Sequence, residues 1–196
     1  MLKVKIVQIS AGIIAAGILG GGLFVWHTAK ATNATTGSSS TQAAITHQIE
    51  QGLVASEQVI PSTVIPVGHL PNQSEITQNI STEGQSLAKI FMSTSADLTS
   101  YLTAYQTALA NINKERNENV TFNSFTLNSI TLSNNGTVAT ATYTTEVTTH
   151  DVLLIKEKWT GSNIKNGYYG SASLQLIKGR WLMSNLSWNY IPGQGP

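Results

Sequence analysis

The sequence predicts an α+β fold: an N-terminal transmembrane helix, then a helical layer packed on a strongly curved antiparallel sheet. Three observations carry that expectation. Residues 6–26 hold no charge, and apolar residues recur at roughly helical spacing from Ile45 to Ile112. From Val120 onward the period falls to two, with short turns between apolar runs. Strands that follow one another through short turns form an antiparallel meander, because parallel connections need about a dozen residues or more.

Composition narrows the functional classes. The 196 residues include 11 basic and 10 acidic side chains and no cysteine, room for one modest domain plus an anchor or tail. No Lys/Arg cluster is available to neutralise a row of phosphates, which excludes a general nucleic-acid binder. Without cysteine there is no disulfide, thiolate nucleophile or thiolate zinc site. The chain has 24 Thr, 20 Ser and 15 Asn against 11% charged residues, so its surface is solvated with little ionisation, as would suit an acidic exterior.

Residues 1–5 read as a short cytoplasmic tail and 6–26 as the membrane helix, which at 1.5 Å per residue spans about 30 Å. Lys3 and Lys5 precede it and Trp26 closes it, which orients the amino terminus inside and places the C-terminal domain outside the cell membrane. Gly12, Ala16 and Gly20 share one face at intervals of four, a spacing that lets helix backbones approach in lipid. Ala29-Lys30-Ala31 has the small-x-small form of a signal peptidase site, so a secreted domain released after Ala31 is the alternative. Residues 27–42 form a polar flexible linker that cannot recover the entropy of ordering.

The domain proper covers residues 43–191. A short amphipathic helix over 43–60 aligns Ile45, Ile49, Leu53 and Val54, weakened by Gly52. Pro61, Pro66 and Pro71 exclude helix and make a strap that lays Val64, Ile65, Val67 and Leu70 across the fold, with His69 at the surface. Ser74 caps a helical stretch carrying Ile76, Ile80, Leu87, Ile90 and Phe91, with Gly84 interrupting it. Ser95 starts the clearest helix, with a stripe of Leu98, Tyr101, Leu102, Tyr105, Leu109 and Ile112 that ends in a charged turn at 114–118.

Five strands are expected. Residues 120–132 change phase twice, which points to bulges or strong twist. Asn134-Asn135-Gly136 is a hairpin signal, since these residues accept positive φ. The next strand alternates Ala139, Ala141, Tyr143 and Val147 with Thr140, Thr142, Thr144 and Thr148, one face apolar and the other hydroxylated. A third strand is read over 152–159, then a polar loop over 161–170, a fourth strand over 172–177, a turn at Lys178-Gly179 and a fifth strand to Tyr190. Residues 192–196 complete the chain as a disordered tail.

Helices first, then a long twisted hairpin and a closing strand of the form Lys178-Gly179-Arg180-Trp181-Leu182-Met183-Ser184, resembles the nuclear transport factor 2-like superfamily over residues 74–191. That resemblance implies a cone-like core with a pocket, in a family of enzymes, ligand binders, dimerisation modules and membrane-tethered assembly proteins. One membrane helix with an outer domain of this shape also resembles assembly components of type IV secretion and conjugation machines.

The family's enzymes place an aspartate or histidine in the pocket, and His150-Asp151, Asp97, Glu146 and Glu157 are the candidates here. His150 and Asp151 are neighbours whose side chains point apart in extended geometry, as at an exposed hairpin corner. His27, His47, His69 and His150 are scattered, and no phosphate cradle occurs, so no catalytic residue, metal or cofactor is assigned. Tyr143, Trp159, Tyr168, Tyr169, Trp181 and Trp188 are the candidate pocket or interface residues, with core packing as their competing role. The function expected is a membrane-anchored, extracytoplasmic binding or assembly domain rather than an enzyme. Its partners would be the lipid bilayer, other envelope proteins or second copies of itself. The alternative is a small-molecule enzyme or ligand carrier that uses the cone's pocket.

Overall fold

The computed structural model describes residues 37–133 and 135–195. Three helices precede four long strands: α1 Ser39–Ser56, α2 Gln73–Leu87, α3 Ala96–Asn111, β1 Glu115–Ser133, β2 Val138–Ile155, β3 Lys158–Ile177 and β4 Arg180–Tyr190. Each helix starts at a side-chain cap that satisfies otherwise orphaned amides. Ser38 Oγ accepts from Thr41 N at 3.3 Å, and Ser95 Oγ accepts from Asp97 N at 3.2 Å. Asn72 and Glu75 form a reciprocal capping box on α2, so the cap lies two residues before the expected Ser74.

Both helical glycines behave differently from expectation. Gly84 does not interrupt α2, which continues to Leu87. Gly52 sits inside α1 because a Cβ there would lie 2.3 Å from Met183 Cε and 2.9 Å from Leu186 Cδ2. Its missing side chain lets α1 settle directly onto β4.

The strands run in sequence order as one antiparallel sheet, β1-β2-β3-β4. Three hairpins turn through paired positive φ values: Lys156 and Glu157 at 48° and 65°, Lys178 and Gly179 at 51° and 78°, and Asn135 and Gly136 at 56° and 82°. The first of these has no glycine or asparagine, and the sequence pattern reads straight through it. That accounts for four strands where five were expected: residues 152–159 straddle the turn, and the supposed loop at 161–170 is the middle of β3. The β2–β3 ladder runs from Val138↔Gln175 to Ile155↔Lys158 without a shift. β1 instead slips against β2 at three points, leaving Glu118, Asn123 and Asn128 as the extra residues.

One face of the sheet meets the helices. Ile45, Ile49 and Leu53 of α1, with Leu87 and Phe91, close over Ala139, Ala141, Tyr143, Ala172, Leu174 and Met183. The three alanines let the helical layer come close. A second cluster joins Ile60 and Ile65 to Tyr105, Ala108, Leu109 and Ile112 of α3. The edge of β4 is covered, since Met183 N donates to Ile90 O and Met92 N to Met183 O, both at 2.8 Å. Asp97 Oδ2 accepts from Leu186 N at 2.7 Å on the same edge. The first residues of β1 are held by Ile60 N donating to Asn117 O at 2.8 Å.

Several expectations are corrected by this architecture. The sheet is open, with β1 and β4 as its edges, rather than a strongly curved cone, so the likeness to the nuclear transport factor 2-like superfamily and to secretion assembly components does not hold. β1 bulges change phase as anticipated, but four strands in meander order do not close around a pocket. The membrane helix and its Gly12, Ala16 and Gly20 face lie outside the described residues. Among the described residues no helix is long and apolar enough to cross a membrane. The anchored, extracytoplasmic placement with lipid as partner therefore finds no support and is withdrawn. Within the strap only Ile65 is buried, whereas Val64, Val67 and Leu70 stay exposed. The Arg116 guanidinium reaches across from β1 and donates to the carbonyls of Ile65 and Pro66, fixing the strap through its backbone.

Candidate functional site

The aromatic residues singled out in the sequence fall in four separate places. Tyr143 is buried, stacks on Phe125 at 5.7 Å and donates its hydroxyl to Ser187 O at 3.2 Å. Trp181 is buried in the main core beside Met183. Trp159, near the β2–β3 turn, has its indole nitrogen against Gly68 of the strap. Tyr168 and Trp188 come together with Tyr190, centroids 4.9 and 5.1 Å from the Tyr168 ring, on the helix-facing side. Tyr169, the next residue, stands on the opposite side and is 47% exposed.

The Tyr168 cluster encloses an acid. Glu57 caps the C-terminal end of α1, and its Oε1 accepts from the Tyr168 hydroxyl at 2.7 Å. Burial raises the Glu57 pKa; the Tyr168 hydrogen bond opposes this, and Asp151 adds to it. The negative end of the α1 dipole acts in the same direction as burial. Among the described residues neither ion pair involves Glu57, the two being His69–Glu75 and Lys165–Glu146. The rings pack against one another at 4.9 to 5.6 Å and leave no room for a substrate between them. Glu57 is thus an acid held within packing, its pKa raised by burial, and not an acid facing a cavity.

The acid and base candidates from the sequence are equally engaged. Asp97 holds the β4 edge through Leu186 N, and burial raises its pKa. His150 and Asp151 lie within β2 rather than at a corner, opposite Asn163 and Ser162. His150 Nδ1 is 2.7 Å from Asn163 Oδ1, and its ring lies over Gly161, where a Cβ would come within 3.0 Å of it. Glu146 pairs with Lys165 at 3.0 Å. No group of three or more metal-ligating side chains occurs among the described residues.

What remains uncovered is the other face of the sheet. Register and alternation place Thr140, Thr142, Thr144, Glu146, Thr148 and His150 of β2 on that face. Rows cross the strands from them. Thr131, Thr140, Ser173 and Asn185 make one row, and Ser129, Thr142, Ser171 and Ser187 the next. Thr126, Thr144, Tyr169 and Asn189 make a third, followed by Thr121, Thr148 and Lys165. Hydroxyls and amides dominate throughout. The only charges in these rows and between them, Lys165 and Glu146, neutralise each other.

Bulging of β1 enriches this face. The extra residues Asn123 and Asn128 lean over the sheet, and their Nδ2 groups donate to Thr148 Oγ1 and Thr144 Oγ1, each at 2.9 Å. Ser129 and Thr142 hydroxyls meet at 2.7 Å. A hydroxyl holds one donor and two acceptor positions, so these groups retain capacity toward a ligand. On the C-terminal side the Gln194 amide sits over Gly167, where a Cβ would lie 2.1 Å from its Oε1, and borders the face next to Tyr169.

The hydroxylated alternation of β2 is legible in the sequence. Tyr169 is singled out by the sequence as a pocket or interface candidate, but its place in a strand row is not legible, nor are the contributions of Asn163 and Lys165, because the unmarked Lys156-Glu157 turn disguises β3 as a loop. Asn123 and Asn128 are recoverable only from the phase changes in β1.

No protein-family model and no curated protein matches this chain. Among solved structures the chain is similar to the intermembrane space region of the chloroplast protein ARC6, at 14% identity and a TM-score of 0.34, over 62% of this chain and 99% of that one. A likeness of that degree defines neither fold nor function.

Proposed function

We propose that this chain is a non-catalytic recognition domain whose contact surface is the helix-free face of its sheet, and whose partner is uncharged and rich in hydrogen-bonding groups. The observation that carries this reading is the four-strand array of Thr, Ser and Asn side chains that no helix covers among the described residues. Enzymes of small substrates work in enclosed sites with a perturbed acid or base lining a cavity. Here three of the acids with raised pKa, Glu57, Asp97 and Asp151, lie in packing or in the ladder instead, and the fourth among the described residues, Glu83, lies on α2 near Tyr105 of α3.

Amide mapping tests the reading. The isotopically labelled chain is titrated with a soluble neutral polysaccharide, a polyanion and a polycation, and perturbed amides are placed on the fold. Shifts grouped around Thr142, Thr144, Tyr169, Ser171 and Asn189 with the neutral polymer are the expected result. Shifts grouped around Glu57 and Tyr168, or a response confined to the charged polymers, would remove it.

A further inference from the structure

We infer that the ligand of this face is a neutral polysaccharide chain crossing the strands along Thr126, Thr144, Tyr169 and Asn189, with one sugar ring stacked on Tyr169. This inference rests on the recognition reading above and adds the ligand class, its direction and its anchor.

Chemical complementarity selects the occupant. A nucleic acid or other polyanion needs a row of Lys/Arg, and the central rows of this face hold one cation, Lys165, already paired with Glu146, with Arg180 apart at the β4 end. A protein interface is organised around clustered buried aromatic, Arg or aliphatic anchors, whereas the central rows of this face carry one aromatic ring among hydroxyls and amides. A sugar polymer matches both parts. Its hydroxyls are donors and acceptors like those of Ser and Thr, and its C–H faces are apolar and suit an exposed aromatic ring.

Geometry gives the direction. Adjacent strands lie about 4.8 Å apart, so a row over four strands extends about 14 Å, the length of a short oligosaccharide. Tyr169 is next to the end of its row and is flanked by Thr144 and Asn189 through backbone pairing. Asn128, which the β1 bulge brings to Thr144 Oγ1 at 2.9 Å, places a second amide at the other end of the same row. A chain stacked on Tyr169 therefore meets amides on both sides. Tyr is a rigid side chain with two rotatable bonds, so ordering it on binding costs little.

Affinity electrophoresis of the full chain through gels containing hydroxyethyl cellulose, dextran or soluble glucomannan provides the test, with carboxymethyl cellulose as the charged control. Retardation is expected with at least one neutral polymer. Tyr169→Ala should weaken it about tenfold or more, equivalent to about 1.4 kcal/mol, Tyr169→Phe should preserve it, and Asn128→Ala should weaken it to a smaller extent. Unchanged thermal midpoints for all three variants show that the fold is intact. Absence of retardation by all three neutral polymers, or stronger retardation by the charged one, overturns the inference. Retardation that Tyr169→Ala leaves intact also overturns it. In that last case, amide shifts still grouped on the hydroxylated face would leave the recognition reading standing, and shifts elsewhere would sink both.

Discussion

On β2, Tyr143 is fully buried and accompanies Ala139, Ala141 and Val147 into the core, while its neighbours Thr142 and Thr144 turn to solvent. The two faces of one strand thus differ in almost every respect that sequence can vary. The inner face gains stability from burying apolar area against α1, and its residues are constrained by volume, as the tight seat of Gly52 on Met183 demonstrates. The outer face contributes little to folding because its hydroxyls exchange water for one another with small net gain. Its composition is consequently free to answer to something other than stability. Thirteen of the fifteen residues in four of its rows are Thr, Ser or Asn by the register, a uniformity that folding does not require.

Substitutions can break or sharpen that contrast, beginning on the inner face. Tyr143→Ala should destabilise by about 3 to 5 kcal/mol, the range for aromatic-to-alanine truncation in a core, measured by chemical denaturation. A loss below 1 kcal/mol would mean that the inner layer is not the source of stability. Gly52→Ala should also destabilise, by about 1 to 3 kcal/mol from overpacking against Met183 and Leu186, and a stabilised variant would show that α1 does not press on β4 as described.

Buried acids sharpen the comparison further. Burial raises the pKa values of Glu57, Glu83, Asp97 and Asp151. Groups whose folded pKa exceeds the unfolded one contribute stability that is full below the unfolded carboxylate range, near about 4, and is lost as pH rises through the folded values. Glu75 opposes them, because the Asn72 N–H and His69 lower its pKa, but it is exposed. The thermal midpoint should therefore rise as pH falls from 7 towards 5, and Glu57→Gln should flatten the slope while keeping the acceptor for Tyr168. A midpoint that falls over this interval would contradict the assignment.

Smaller effects belong to the periphery. Asn72→Ala removes the capping box of α2 and should cost about 1 kcal/mol, with α2 amide exchange as the readout. Thr142→Ala, on the outer face, should change stability by less than about 0.5 kcal/mol. A large loss there would show that the hydroxyl rows hold the sheet together and are not available for recognition.

Legibility in the sequence follows local physics. Ser95, the α3 stripe and the Lys178-Gly179 turn are determined within a few residues of themselves, and each appears where the pattern indicates. The β2–β3 turn is different, since Lys156 and Glu157 adopt positive φ without glycine or asparagine and are held there by the long unbroken ladder on either side. Strand length was hidden by that turn, and the open sheet was hidden with it. The choice between cone and open sheet depends on how all four strands splay, which no single window of sequence contains. Glu57 escaped notice for a related reason: its role arises from Tyr168, 111 positions away.

The three slips of β1 against β2 also bear on how many such molecules can work side by side. An incoming strand from a neighbour would find amides and carbonyls out of step at Glu118, Asn123 and Asn128, and could not zip along that margin. The opposite margin is already occupied by residues 90–92 and the Asp97 carboxylate. Crowding on a long polymer would therefore bring these plates shoulder to shoulder without fusing them into fibrils.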